Sequence, residues 1–330
     1  MSRPPPHPRH RGSDLLPPHG SDKSPGVRPH LALVAVQLFF GTWSIVGKIV
    51  LRYLPSTGLV AIRIAGGTLA FLIIRRGAKS LRLDRRSDYA RVALYSLLGV
   101  ALNQLLFVKG LSLSTAINAN LLGTMIPVFT LLAGVALGYE RFSLRVVVGV
   151  AVAACGAVYL VNPFRASFSG ATTLGNLLLI SNSFCYGLYL AISQDAIRRY
   201  GALTVITWVF IFGCVFTLPV GGYHLAHVPL ARLPPAVWLA ILYIVLVPTV
   251  GAYYLNAWAL GRVAPSVVAV YVYLQPVVGF ALAPFVLGEQ LDAHVWVATA
   301  LIFAGVGFVI TRRRTPAFDE VSERPDALGR

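Results

Sequence analysis

What most constrains this chain is a succession of ten apolar runs. Each is about 17 to 25 residues long, the length at which an α-helix crosses a ~30 Å hydrocarbon core. They fall at about 31–51, 58–74, 92–111, 114–138, 146–162, 173–193, 202–221, 236–260, 264–287 and 294–311. The runs are continuous and do not alternate with a period of two, which excludes a transmembrane β-barrel. Backbone groups in lipid have no water to bond, so each run must satisfy itself as a helix. Composition agrees: hydrophobic residues make up 56% of the chain and charged residues 12%, where ordinary soluble domains carry about 25% charge. No water-soluble fold of this length hides so much apolar surface. The expected fold class is all-α integral membrane, with the lipid bilayer as a partner.

A net charge of +16 would point to nucleic acid on a soluble protein. Here the basic residues lie in short runs between apolar segments, where they act as topology signals, and no nucleic-acid partner is expected. Arg75, Arg76, Lys79, Arg82, Arg85, Arg86 and Arg91 lie between the second and third runs. Arg141 and Arg145, Arg198 and Arg199, Arg262, and Arg312 to Arg314 continue the pattern at every second connection. The alternate connections hold far fewer. By the positive-inside rule both termini are cytoplasmic, in a multi-pass protein of the cell membrane. Residues 1–30 are rich in Pro, Arg and His and lack the apolar core of a signal peptide, so a disordered cytoplasmic tail is expected. A second cytoplasmic tail is expected over 315–330. Cys155, Cys185 and Cys214 sit in apolar stretches without metal-ligand spacing. No metal and no cofactor are expected.

The chain repeats itself. Pro127 aligns with Pro276 and Glu140 with Glu289 at one offset, 149 positions (276 less 127, 289 less 140). Leu111 with Leu260, Val128 with Val277, Ala151 with Ala300 and Gly156 with Gly305 keep the same register. The first two runs of each half match poorly. Five helices per half is an odd number, so the second half enters the bilayer upside down. Inverted repeats build many secondary transporters, with the solute bound near the midplane between the halves.

The segments IPVFTLLAGVALGYERFS and LQPVVGFALAPFVLGEQLD, with the second-run arginine in VAIRIAGG, carry a family resemblance. The chain resembles an EamA-type member of the drug/metabolite transporter superfamily over about residues 31–311. The first copy departs slightly, reading Gly138-Tyr139-Glu140 where the second reads Gly288-Glu289. The resemblance implies two five-helix units, 31–162 and 173–311. It also implies movement of metabolites, amino acids or drug-like solutes, often outward. It is silent on which solute.

Several residues are candidates for function. Pro127 and Pro276 each remove a backbone hydrogen bond inside a helix, giving a kink that is either static or a hinge lining the cavity. Glu140 and Glu289 end a helix just before the next begins. Capping of that next helix is the first expectation, and a gate ion pair the alternative. Arg63 lies about five residues inside its helix, ~8 Å deep at about 1.5 Å per residue. Its charge suits an anionic solute group or backbone carbonyls. Lys48 lies about one turn inside its helix and is expected to snorkel to the headgroups. Polar and small residues recur at helical spacing: Gln37, Gly41, Ser44 and Lys48; Ser96, Gly99 and Asn103, with Gln104 adjacent; Asn182, Tyr186 and Tyr189; Thr249, Tyr253 and Asn256; Tyr271, Gln275 and Gly279. Each set shares a helix face that should turn inward, either for interhelical packing or to line a polar, aromatic cavity.

Taken together, these features predict a secondary transporter of small solutes, with alternating access between two inverted repeats, and the resemblance implies export as its direction. The alternative is a non-transporting membrane receptor or scaffold. An enzyme is not expected. No catalytic cluster is evident, since His224, His227 and His294 lack partners at metal spacing. There is no Walker-type phosphate loop either. A homodimer is left open.

Overall fold

In the computed structural model the chain folds as a bundle of long helices. The structure describes residues 27–75, 81–138 and 170–310, the side chains of 306–310 excepted, and scattered positions between 144 and 159. In chain order the helices are α1 (Val27–Val50), α2 (Ser56–Ile74), α3 (Arg86–Leu113), α4 (Ala116–Ala136), α5 (Ala171–Tyr200), α6 (Ala202–Ala226), α7 (Pro235–Leu260), α8 (Pro265–Leu287) and α9 (Ala293–Ile310). Among the described residues, α1 to α8 are each long and apolar enough to cross a bilayer. Of the fifth expected run, 146–162, only scattered positions are described, and these are helical. The polar tail 315–330 and Glu140 lie outside the described residues. At the other end α1 starts at Val27, so residues 27–30 of the expected tail are helix.

Local chemistry fixes the ends. Pro235 and Pro265 open α7 and α8 at positions where a missing N–H costs nothing. The Thr115 hydroxyl caps α4 by accepting the Asn118 N–H at 3.0 Å. Gly138 and Gly288 follow α4 and α8 with φ of +76° and +69°, the left-handed conformation that closes a helix and that a Cβ disfavours.

The 149-residue register runs further than the sequence comparison indicated. The starts of α3 and α7, at Arg86 and Pro235, keep it, as do the starts of α4 and α8, at Ala116 and Pro265. So do two π-helical turns, Leu97–Ala101 in α3 and Leu246–Gly251 in α7. The prolines do more than kink their helices. α4 is interrupted at Thr124–Met125, before Pro127, and α8 by a 3₁₀ turn at Tyr271–Tyr273, before Pro276. A proline ring clashes with the carbonyl four residues back, which is where each helix gives way.

The halves interlock. α1 packs against α7 and α8 of the second half, α5 packs against α3 and α4 of the first, and α2 lies along α6. The surface inverts the soluble pattern: Phe285 is 88% exposed and Leu239 68%, whereas Arg63, Asn176 and Gln37 are 1% exposed. Lipid covers the former, and hydrogen bonds inside the bundle engage the latter.

Candidate functional site

Between the halves lies a small cavity of about 50 Å³. α1 contributes Gln37, Phe40 and Trp43, and its counterpart α5 contributes Asn182, Tyr186 and Leu190. α3 gives Asn103, Gln104 and Phe107, matched by Tyr253 and Asn256 of α7. The interrupted helices close the ring with Gly123 and Ile126 of α4 and with Val268, Val272 and Gln275 of α8. Each half therefore supplies its first, third and fourth helix.

The polar wall groups are held by one another, across the halves except for the Asn256–Tyr186 pair, which lies within the second half. Gln275 Nε2 donates to Gln37 Oε1 at 2.7 Å, and Asn256 Nδ2 donates to the Tyr186 hydroxyl at 3.0 Å. Asn182 Nδ2 donates to the Asn103 carbonyl at 2.9 Å. At the centre Gln104 Nε2 donates to the Tyr253 hydroxyl, and these two residues are themselves 149 positions apart. They mark the internal two-fold axis. Aromatic rings form the apolar faces: Trp43 stacks on Phe107 with centroids 6.0 Å apart, and Phe40 meets Tyr253 edge-on at 5.8 Å.

Arg63 lies directly behind this wall. Its Nε donates to Thr249 Oγ1 at 3.0 Å and its Nη1 to Gln104 Oε1. Its Cζ sits 3.8 Å from the Trp43 ring centroid, a cation–π contact. Thr249 lies in the π-helical turn of α7, where its own hydroxyl reaches the Ile244 carbonyl five residues back.

The other expected residues divide. Gln37, Asn103, Asn182, Tyr186, Tyr253, Asn256 and Gln275 line the cavity. Tyr189 is buried behind it, its ring tilted against Tyr186 and pressed on Gly99. Ser44 is engaged by Asn120 Nδ2 at 2.8 Å, and Tyr271 turns away to His30 at 2.7 Å. Lys48 does not snorkel: its Nζ donates to the carbonyls of Leu111 (2.8 Å) and Ser114, where α3 ends and leaves acceptors free. Glu289 does not cap the helix that follows it, because Asp292 does so by accepting the Val295 N–H at 3.0 Å. Glu289 instead crosses to the other half, where its two oxygens accept the N–H groups of Ala116 (2.7 Å) and Ile117 (2.9 Å) at the start of α4. Sequence reasoning passed over Phe40, Trp43 and Phe107 and named Gln104 only as a neighbour of Asn103.

Known proteins resemble this arrangement. An uncharacterized transporter of Archaeoglobus fulgidus is 27% identical over 84% of this chain and 96% of its own length. An uncharacterized transporter of Methanothermobacter thermautotrophicus is 28% identical over 52% of this chain, and the match spans 54% of that relative. The uncharacterized transporter YetK of Bacillus subtilis is 26% identical over 58% of each chain. One solved crystal structure superposes with a TM-score of 0.63 over 87% of this chain and 99% of its own, at 19% identity, and so shares the fold. The EamA-like transporter family matches twice, over residues 28–162 and 173–311, once on each repeat. This chain belongs to the EamA-like transporter family, as a multi-pass membrane transporter.

Proposed function

We propose that the chain is a secondary transporter that exports small metabolites, amino acids or drug-like solutes, binding them in the central cavity and exposing it to each side of the cell membrane in turn. The basic connections support a reading in which both termini face the cytoplasm. The observation that carries this reading is the position of the cavity. It is lined by matching helices of the two halves, and Gln104 and Tyr253, 149 positions apart, meet at its centre. A site so placed opens to either side when one half rocks against the other. The interrupted helices α4 and α8 supply bends at the depth of the cavity, since Gly123 and Val272 beside the breaks both line it. The walls suit a solute with an apolar or aromatic body and polar substituents. No carboxylate lines the cavity among the described residues, so nothing there serves as a proton-coupling acid.

The test is transport by the purified protein in proteoliposomes. Amino acids, small organic acids and cationic dyes are loaded inside, and labelled solute is followed from outside, with and without a pH gradient. Saturable uptake stimulated by the same solute inside supports the carrier reading. Strong dependence on the gradient would show coupling through a group outside the cavity wall. Absence of counterflow for every class, from protein with an intact thermal transition, contradicts the carrier reading.

A further inference from the structure

Arg63 is among the largest fully buried side chains of the protein, 1% exposed, in a helix that crosses the bilayer. Its partners are a threonine hydroxyl, a glutamine carbonyl and an indole face, none of which carries charge. Its Nη2 has no hydrogen-bond partner. Among the described residues the ion pairs join Arg91 and Arg199 to Asp84 and Asp88, and none reaches Arg63. A buried cation without a counter-charge is costly, and a bilayer-spanning chain keeps one where something pairs with it. Two of the groups that hold Arg63, Trp43 and Gln104, are also cavity wall. The remaining polar wall groups are amides and phenols, which leaves Arg63 alone to set the sign of the potential inside.

We infer that the solute is a monoanion of carboxylate type, selected by Arg63 through the shared wall of Trp43 and Gln104. This rests on the transporter reading of the cavity. One carboxylate balances one guanidinium, whereas a phosphate dianion would leave a charge over. The guanidinium fork offers paired N–H donors to carboxylate oxygens, and Gln104 Oε1 is the acceptor a carboxylate replaces at Nη1. Low local polarity strengthens the attraction relative to water. The rings of Phe40, Phe107 and Tyr186 then receive the apolar body of the acid. The empty carrier holds an unbalanced charge and the loaded one is neutral.

The experiment measures binding to the full-length protein in lipid nanodiscs, by calorimetry at pH 7, with solutes matched in shape: phenylacetate, phenylacetamide, phenethylamine and 4-methylvalerate. Both carboxylates are expected to bind about tenfold or more tightly than the amide, the advantage of a charge-assisted over a neutral hydrogen bond. In Arg63→Gln the ratio of phenylacetate to phenylacetamide affinity should fall to about one, while Arg63→Lys keeps part of the preference. The wild-type ratio stands as a test even if a variant does not fold. Equal binding of the amide, tighter binding of the amine, or no binding by either carboxylate overturns the inference. Counterflow of an amine or a neutral solute would then leave the transporter reading intact. Carboxylate binding without counterflow of any solute would do the reverse.

Discussion

Glu289 shows how much one side chain does by reaching across the halves. Its carboxylate accepts two N–H groups at the start of α4, where the helix leaves donors unpaired and the dipole favours negative charge. Glu289→Ala strands both donors and should cost about 1–3 kcal/mol. Glu289→Gln keeps one acceptor and should cost less. Thermal unfolding in detergent reads the order, and equal melting of all three proteins would contradict it. Some of this residue chemistry was legible in the sequence and some was not. Arg63 stands out because a charge inside an apolar run is costly and must find a partner. Gln104 was obscured by helix geometry: the π-helical turn at Leu97–Ala101 inserts a residue and shifts the face, so that Asn103 and Gln104 both line the cavity. Phe40, Trp43 and Phe107 were hidden for another reason, since an aromatic residue in a membrane helix suits lipid and cavity equally.

At the scale of elements, the interruptions and the tight crossings carry the design. Replacing Pro127 or Pro276 by Ala restores a backbone donor and lets α4 or α8 run straight. The expected result is a severalfold loss of counterflow with thermal stability kept or raised. Unchanged rates in both variants would make the bends static. α5 meets α4 closely at Gly187, where a Cβ would stand 2.9 Å from the Thr130 amide nitrogen and 3.0 Å from the Ile126 carbonyl oxygen. Small residues permit such approach. Gly187→Val should therefore cost about 1–3 kcal/mol by overpacking, seen as a lower melting temperature. The helices themselves were plain in the apolar runs, and their interruptions followed from the prolines. The partner of Glu289 was not readable, because local sequence names the next helix and the fold brings a distant one.

At the scale of the molecule, the two halves have no separate cores, since α1 completes the second half and α5 the first. That interlocking makes the cavity a property of the whole chain, and it was only partly foreseeable. The inverted repeat gave the two-fold axis, but the poor match of the first two runs concealed which helices cross over. The central claim is that one site faces the two sides in turn. It is tested most directly by a single reporter thiol in the cavity wall. Cys155, Cys185 and Cys214 are replaced by Ala, Asn182 by Cys, and the protein is oriented in vesicles. A membrane-impermeant thiol reagent is then applied from either side, with and without solute. Alternating access predicts labelling from both sides, slowed from both by saturating solute. Labelling from one side alone, or labelling that solute leaves unchanged, would contradict it.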